Sequence, residues 1–323
     1  MSRPAVKVIA LVVTYNRKVL LEECLHALLE QSLPVDKLVV IDNDSTDGTD
    51  ELFAVGELFD RPTIDYIKLP ENTGGAGGFY EGIRYATEQY DYQWLWLMDD
   101  DTIVYKDTLQ SFNTALGSFE ADDREDVSFL ASTVFGPENE PMNVPVLDSR
   151  RSSNGYPDWY FNLADGLVKI ESATFVSLLI NGDAIRKIGY PCKDYFIWGD
   201  DTEYTQRLTK YYGPAFLVGS AKVLHKRFNT KRLSILDEEN ENRIKLYYYM
   251  CRNSLINYSA YGSSSDTIKA VIYNLYICLQ LLFKPGIHYR FKKIKTLFRG
   301  MGAFLFRRYD YEGFKNRMKH TGM

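Results

Sequence analysis

Short apolar runs and stretches with helical spacing alternate over the first hundred residues of this 323-residue chain. Residues 6–13 form a continuous run rich in valine and isoleucine, which is typical of a parallel strand buried on both faces. Further strands are predicted at 37–41, 64–68 and 94–98, with helices over 19–30, from about Asp50 and over 76–89. This alternation indicates an α/β fold, in which an open, mostly parallel sheet carries helices on both faces.

Polar clusters follow all four predicted strands. They consist of Thr14, Tyr15, Asn16 and Arg17 after the first strand, Asp42 after the second, residues 72–78 after the third, and Asp99, Asp100 and Asp101 after the fourth. Ligands of open α/β sheets bind beyond the carboxyl ends of the strands. The clusters therefore predict one binding site at a single edge of the sheet.

Asp99, Asp100 and Asp101 directly follow an apolar run that contains Trp94 and Trp96. An unpaired carboxylate is costly beside such side chains, and three adjacent like charges repel one another. A bound divalent cation resolves the conflict, because hard oxygen ligands suit Mg²⁺ or Mn²⁺, which commonly bridge carboxylates to substrate phosphates. The alternative is a cluster of capping and turn residues that opens the next helix.

The segment 72–78, with the sequence NTGGAGG, enters the third predicted helix. Glycine permits close backbone approach and positive φ, and the N–H groups at a helix start attract anions. The segment lacks the Lys-Ser/Thr pair of a Walker A loop and the spacing of a dinucleotide-binding loop. Ligand contact and tight packing of the helix on the sheet are therefore equally compatible with it.

A second acidic cluster, Asp200, Asp201 and Glu203, lies at the start of a helix predicted to run to Lys210. Acids in a first helical turn are favoured by the helix dipole, so a capping role explains the cluster without any chemistry. Alternatively, one of the carboxylates acts as a general base on an incoming hydroxyl group. His225 follows a strand predicted at 215–218, and is either an ordinary core or surface residue or a metal ligand.

Charge is distributed unevenly, although the net charge of -5 is modest. Basic residues concentrate between 284 and 319, after a tyrosine-rich helical pattern that starts near Asn242. We therefore predict an α/β domain at 1–236 and a basic helical region at 237–323. A basic surface favours an anionic partner such as a membrane face or a phosphate-bearing lipid, and we expect no nucleic-acid partner. The basic residues include Arg290, Lys292, Lys293, Lys295, Arg299, Arg307 and Arg308.

The four cysteines are widely separated and form no C-x-x-C pair, which fits reduced residues of a cytosolic protein better than disulfides or a zinc site. The apolar run at 8–13 is too short for a signal peptide. The apolar stretch at 270–283 is interrupted by Asn274 and Gln280 and falls short of a spanning helix. We expect a cytoplasmic protein that is at most peripheral at the inner face of the cell membrane.

Taken as an ordered set, these motifs resemble the family 2 glycosyltransferases, which are inverting enzymes with the GT-A fold. The resemblance covers residues 6 to about 227 and includes VVTYNR at 12–17, IDN at 41–43, the loop at 72–78, the aspartate triplet and WGDDTE at 198–203. The triplet, the glycine-rich loop, the second acidic cluster and the histidine that follows it are most similar to bacterial galactofuranosyltransferases. The motifs are also similar to those of rhamnosyltransferases of surface-polysaccharide assembly.

The resemblance implies a role for each motif. Nucleotide binding is implied for Thr14, Arg17, Asp42, Asn72, Asp99 and Asp100. Metal binding is implied for Asp99, Asp101 and His225, with Mn²⁺ or Mg²⁺ as the ion. Asp201 is implied as the base that deprotonates the acceptor hydroxyl. Acceptor binding or support of the base is implied for Trp198, Asp200 and Glu203, and stacking on a sugar face for Trp159 and Trp198.

The implied reaction is metal-dependent transfer of a sugar with inversion, and UDP-galactofuranose is the expected donor. The expected acceptor is a glycan or a lipid-linked glycan in cell-surface polysaccharide synthesis. A rhamnosyltransferase that uses dTDP-rhamnose is the alternative within the family. A nucleotidyltransferase and a non-catalytic sugar-binding module are weaker alternatives. A nucleotidyltransferase would normally carry a basic glycine-rich loop directly after the first strand, where this chain has residues 14–17 instead. Galactofuranosyltransferases are expected to carry larger additional domains, whereas about 85 residues follow Asp237 in this sequence.

Overall fold

The computed structural model describes residues 5–57, 59–227, 233–310 and 313, and its strands form a ten-stranded sheet. The strands are β1 (Ala5–Thr14), β2 (Lys37–Asp42), β3 (Ile64–Lys68), β4 (Asp91–Asp99), β5 (Thr102–Val104), β6 (Phe129–Phe135), β7 (Val146–Leu147), β8 (Leu167–Ser172), β9 (Leu178–Asn181) and β10 (Ala215–His225). Their order across the sheet is β3-β2-β1-β4-β9-β6-β10-β8-β7, and β5 pairs with β10.

Parallel pairing organises the first half of this sheet. β1 runs parallel to β2 and β4, and β2 runs parallel to β3. Beyond β4 the sheet is mixed: β9 is antiparallel to β4 and β6, while β10 is parallel to β6 and antiparallel to β5 and β8. The predicted parallel arrangement therefore holds where the four predicted strands lie, and the later strands add antiparallel pairs.

The described helices flank the sheet and continue beyond it. They are α1 (Lys18–Leu29), α2 (Gly74–Gln89), α3 (Thr108–Gly117), α4 (Ala121–Asp126), α5 (Gly182–Ile188), α6 (Asp200–Tyr211), α7 (Glu241–Ile244), α8 (Tyr247–Tyr261), α9 (Ser264–Phe283) and α10 (Arg290–Leu305). Only a short 3-10 turn at Thr49–Phe53 occupies the place of the helix predicted near Asp50.

Alternate residues of β1 face two different apolar layers. Ala10 and Val12 pack in the layer that includes Leu25 of α1, whereas Ile9 and Leu11 pack in the layer that includes Ile83 of α2. Successive side chains of a strand point to opposite faces, so a strand between two helical layers is apolar at every position. This burial explains why the run at 8–13 is apolar at every position rather than alternating.

The register of the parallel strands brings their ends together. Thr14 of β1 lies opposite Asp42 of β2, and Val13 lies opposite Asp99 of β4. The triplet that begins with Asp99 continues into β5 rather than into a helix, so the capping explanation of these three aspartates was wrong. The polar ends of three strands therefore share one edge of the sheet, as the sequence predicts.

Helices α8, α9 and α10 pack around an apolar cluster of their own, which includes Tyr247, Leu255, Leu281 and Leu297. The domain boundary after residue 236 stays a prediction, and residues 314–323 of the predicted basic region lie outside the described part of the chain.

Helix α9 has 20 residues, which is long and apolar enough to cross a membrane by length and composition. The apolar stretch at 270–283, which was predicted to fall short of a spanning helix, is part of this longer helix, which begins six residues earlier, at Ser264. The same test is passed by helices that pack in a core, so length and composition alone are weak evidence for a membrane span.

Candidate active site

Arg17 joins two carboxylates of the triplet. Its Nη1 donates to Asp100 Oδ1 at 3.1 Å and to Asp101 Oδ2 at 2.6 Å, and Thr14 Oγ1 donates to Asp100 Oδ2 at 2.7 Å. Both aspartates are buried, whereas the Arg17 side chain is 48% exposed. Burial raises the pKa of Asp100 to about 6, against the opposing effect of the Arg17 charge. The structure thus brings together three of the residues that were predicted to bind the nucleotide.

Asp101 also faces His225, the last residue of β10. His225 Nε2 lies 3.1 Å from Asp101 Oδ1, and His225 Nδ1 lies 2.9 Å from Asn143 Oδ1. Asn143 Nδ2 donates to Thr174 Oγ1, so the amide oxygen of Asn143 is the atom that faces the histidine. An imidazole that donates from Nδ1 presents a lone pair at Nε2 when it is neutral. Asp101 Oδ1 has no hydrogen-bond donor unless Nε2 is protonated, so a proton or a cation is needed between these two atoms.

The two acidic clusters converge. The pKa of Asp99 is raised well above its usual range, first by burial and then by the charges of Asp101 and Asp100, and Asp200 contributes to the same shift. Asp200 lies in the first turn of α6, so a charge at the start of this helix acts on the end of β4. Among the described residues, however, no three His, Cys, Asp or Glu side chains are grouped closely enough to hold a metal ion.

Asp42 lies at the expected strand end, but its carboxylate is fully buried. Oδ1 accepts a hydrogen bond from the Ser45 N–H at 2.7 Å, and Oδ2 accepts one from the Tyr66 hydroxyl. These bonds fix the turn after β2. The neighbouring Asn43 was not predicted as a site residue. Its Oδ1 accepts a hydrogen bond from the Thr73 N–H, and its Nδ2 donates one to Gly74 O. Asn43 therefore connects this turn to the glycine-rich segment.

The glycine-rich segment has a packing role. Asn72 Oδ1 accepts a hydrogen bond from the Gly74 N–H at 2.8 Å, and Gly74 adopts a φ of +73°. A Cβ at Gly74 would lie 2.0 Å from Phe196 O, and one at Gly78 would lie 2.5 Å from Val13 Cγ1. Only glycine therefore lets α2 approach both β1 and the segment before α6.

The segment before α6 has an unusual backbone. Phe196, Trp198 and Gly199 all have positive φ values, of 63°, 61° and 95°. Left-handed backbone is costly for bulky residues and persists only where the surroundings enforce it. Sequence reasoning named Trp198 as an acceptor residue; its ring packs edge-on against Tyr247 of α8, with the ring centroids 5.3 Å apart.

Helix α8 supplies the groups that hold this segment. Asn253 Nδ2 lies within hydrogen-bond distance of the carbonyl oxygens of Tyr195, Ile197 and Trp198, at 2.7 to 3.1 Å. Asn257 Nδ2 donates to Gly199 O at 2.9 Å. Neither asparagine was predicted as a functional residue; their spacing of four on a tyrosine-rich helix was the available signal.

Asp200 and Asp201 begin α6 immediately after this segment. Asp201 Oδ1 accepts a hydrogen bond from the Thr202 N–H at 2.6 Å, and the residue is partly exposed. Burial raises the pKa of Asp201, and the pKa of Asp200 rises well above its usual range through burial and the charge of Asp201. A carboxylate with a raised pKa is a stronger base than an ordinary aspartate once it is ionised.

Glu203 lies away from the surface, at 1% exposure. Its carboxylate forms a buried ion pair with Arg207, with Oε1 2.9 Å from Nε and Oε2 3.1 Å from Nη2, and it accepts a hydrogen bond from the Tyr261 hydroxyl. Of the two roles expected for Glu203, this geometry favours support of the first turn of α6 over acceptor binding. Trp159 is partly buried beside the exposed Tyr160 in a separate 3-10 turn.

Comparison with known proteins identifies the family. Residues 9–139 match the family model described as Glycosyl transferase family 2. The chain is 30% identical over 220 residues to galactofuranosyltransferase GlfT1 of Mycolicibacterium smegmatis, a match that covers 68% of this chain and 70% of the relative. The two chains are therefore similar in length, so the expectation of a larger additional domain in galactofuranosyltransferases does not apply to this relative.

Solved glycosyltransferases share the fold. The crystal structure of residues 1–349 of S. aureus TarS matches with a TM-score of 0.50 and 16% identity, over 94% of this chain and 91% of that one. GalNAc-T7 with UDP, GalNAc and Mn²⁺ matches with a TM-score of 0.52 and 11% identity, over 83% of this chain and 55% of that one. With the family model and the identity to GlfT1, these matches confirm the predicted family and fold: the chain belongs to glycosyltransferase family 2 and is a glycosyltransferase with the GT-A fold.

Proposed function

We propose that this enzyme transfers galactofuranose from UDP-galactofuranose, with inversion, to a glycan or lipid-linked acceptor in cell-surface polysaccharide synthesis. The observation that carries the proposal is that the segment before α6 packs on Gly74 of α2, while Gly78 of the same helix packs on Val13, which lies opposite Asp99. The charge of Asp200, next to Asp201 in the first turn of α6, contributes to the raised pKa of Asp99. The end of β4 then offers groups for a nucleoside diphosphate, and the start of α6 offers a base. The 30% identity to a galactofuranosyltransferase supports the choice of donor.

In the proposed reaction Asp201 removes the acceptor hydroxyl proton while the acceptor oxygen attacks the anomeric carbon. The bond between that carbon and the departing diphosphate oxygen breaks on the opposite side, so the anomeric centre inverts. The Thr202 N–H, 2.6 Å from Asp201 Oδ1, holds the carboxylate in place. Arg17 and Thr14, which now bind Asp100, are the nearby donors for the nucleotide. We place Asn72 and Asp42 around the nucleotide as well.

We propose Mn²⁺ or Mg²⁺ as the cofactor, because two of the three expected ligands, Asp101 and His225, face each other, whereas Asp99 is not grouped closely enough with them in the described part of the chain. Asp101 Oδ1 and His225 Nε2 face each other at 3.1 Å, and a neutral imidazole with its proton on Nδ1 would place two acceptors face to face. Asp99, Asp101 and His225 would hold the cation. When bound, it would act as a Lewis acid that neutralises charge developing on the diphosphate.

Replacing His225 by Gln is expected to weaken Mn²⁺ binding by at least tenfold, because a nitrogen ligand is lost. Electron paramagnetic resonance of free Mn²⁺, titrated with protein in the presence of UDP, measures this affinity without any need for turnover. His288→Gln is the matched control, since His288 is exposed in the segment between α9 and α10. Equal Mn²⁺ affinity in the two variants would contradict the assignment of His225.

The donor is tested by a thermal-shift screen with Mn²⁺ and four sugar nucleotides: UDP-galactofuranose, dTDP-rhamnose, UDP-galactose and UDP-glucose. We expect the largest rise in Tm with UDP-galactofuranose, because a ligand that binds only the folded protein stabilises it by mass action. A larger rise with dTDP-rhamnose would support a rhamnosyltransferase instead. Stabilisation without hydrolysis or transfer of any donor would contradict the proposed reaction.

We further propose that the enzyme works at the cytoplasmic face of the cell membrane, as a peripheral protein. Support comes from the basic residues of α10 and from the proposed lipid-linked acceptor.

A further inference from the structure

Helix α9 exposes an apolar stripe. Ile268, Ile272, Leu275, Leu279 and Leu282 are between 39% and 60% exposed. They follow one another at spacings of four and three residues, so they lie along one side of the helix. Phe283, at the end of the helix, is 81% exposed. Exposed apolar side chains in a contiguous row mark an interaction surface, whereas single ones do not.

The opposite side of α9 belongs to the core of the C-terminal helices. Ile277, Cys278 and Leu281 are buried and pack with Leu255 and Leu297 of the neighbouring helices. From Ala270 to Phe283 the helix contains no charged residue. A helix that is apolar on all sides, but packed on only one, leaves its other side for a further apolar environment.

A fixed corner joins α9 to α10. Arg290 donates from Nη1 to Leu282 O and from Nη2 to Lys284 O, both at 2.8 Å. These bonds hold the exposed Phe283 and Lys284 close to the start of α10, where Phe291 is 77% exposed. The corner therefore combines aromatic rings with a cation, which is the composition of a membrane interface.

Helix α10 and the residues after it add cations that have no carboxylate partner. Lys295, Arg299 and Arg308 surround an open cavity of about 340 Å³ together with Phe298 and Phe306. Within the part of the chain that the structure describes, none of these three cations forms an ion pair with a carboxylate. Unpaired cations beside exposed apolar side chains complement anionic lipid headgroups.

We propose that the stripe of α9, with the cations of the α9–α10 corner and of α10, docks on an anionic lipid bilayer, and that α9 lies in the plane of the interface. A second copy of the chain fits the surface less well, because the cations of the two copies would face and repel each other. A crossing orientation would require α9 to leave the core that buries Ile277, Cys278 and Leu281. The inference rests on the peripheral membrane location proposed above and names the surface that would provide it; it does not depend on the donor sugar.

Co-flotation of the full chain with vesicles tests the proposal. We expect strong binding to phosphatidylcholine vesicles containing 30% phosphatidylglycerol, weak binding to pure phosphatidylcholine, and release by 1 M NaCl. The double variant Ile272→Asp, Leu279→Asp should bind at least tenfold more weakly. Lys284→Glu with Lys295→Glu should also weaken binding at least tenfold, since each basic residue near an anionic surface contributes about 1 kcal/mol.

Matched controls carry the same changes elsewhere. Val55 is 96% exposed and Lys106 is exposed, so Val55→Asp and Lys106→Glu should bind like the wild type. Absent or equal binding to both kinds of vesicle would overturn the proposal. Retention after alkaline carbonate extraction would overturn the in-plane orientation. A second copy of the chain would be the partner of the stripe if two results were found together. The wild type would be a dimer in light scattering and would not bind vesicles, and the α9 double variant would be a monomer.

Discussion

Replacing Asp201 by Asn is expected to lower kcat for sugar transfer by roughly 10²- to 10⁴-fold, the contribution typical of a positioned general base. The Kd of the sugar nucleotide should change little, because Asp201 serves the acceptor side of the cleft in the proposed reaction. The amide keeps the size of the side chain and can still accept a hydrogen bond from the Thr202 N–H. Single-turnover rates and donor titration by calorimetry separate the two effects.

The pH dependence gives a second readout of the same substitution. Asp201 must be ionised to accept a proton, and burial raises its pKa above that of an ordinary aspartate, which is about 3.9. Activity should therefore be full above the raised pKa and should fall as pH drops through it, at a higher pH than for an exposed aspartate. This acid limb should be absent from the residual activity of Asp201→Asn.

Asp183→Asn is the matched control, because Asp183 is another acid in the first turn of a helix and its side chain is 75% exposed. Its activity and acid limb should equal those of the wild type. Near-normal transfer by Asp201→Asn would contradict the assignment. If Asp200→Asn alone removed transfer, the base would be Asp200, which lies beside Asp201 in the first turn of α6.

Replacing Asn253 by Ala is the second change with a large expected effect. Its Nδ2 lies within hydrogen-bond distance of three backbone carbonyls of the segment before α6, at Tyr195, Ile197 and Trp198. Leaving such buried acceptors without a donor costs about 1–3 kcal/mol. The free energy of unfolding, measured with urea, should fall by about that amount.

The same variant should lose activity beyond its loss of stability. Phe196 and Trp198 have left-handed backbone, and without Asn253 the segment can relax to commoner conformations. The first turn of α6 would then shift, so kcat should fall at least tenfold while donor Kd stays close to the wild-type value. Both constants are measured well below the Tm of the variant, where the protein is folded.

Asn274→Ala is the control for this substitution. Asn274 also lies on a C-terminal helix, but its Nδ2 donates to Ala270 O of its own helix. Its kcat should remain within about twofold of the wild type, since surface substitutions away from a network change little. Two results would show that Asn253 does not position the base. One is an equal loss of kcat in both variants, and the other is a loss of donor affinity that accounts for the whole defect of Asn253→Ala.

The strand ends of the site could be predicted because their signals are local. The strands predicted at 37–41 and 64–68 coincide with β2 and β3, and the residues that follow them share one sheet edge. Thr14 and Arg17 both contact Asp100 because parallel strands deliver neighbouring ends to the same edge. The spacing of apolar residues and the local composition are sufficient to predict this part of the fold.

The remaining contacts depend on residues that are far apart in the chain. Asn143 lies in an irregular segment, and nothing in its neighbourhood indicates that it contacts His225. Glu203 and Arg207 are visible as an acid and a base four residues apart, but such pairs usually lie on the surface, whereas this pair is buried. The antiparallel β9, inserted between β4 and β6, has the same short apolar pattern as a parallel strand.

The asparagines of α8 limit how this enzyme can be divided or recombined. A fragment that ends at residue 236 would contain Asp201, yet the backbone carbonyls from Asp194 to Gly199 would lose donors that lie on Arg252, Asn253 and Asn257. A chimera with a foreign C-terminal region would inherit the same defect unless it kept these three side chains in register. For protein engineering, the unit that can be exchanged therefore includes α8, whatever boundary the sequence suggests.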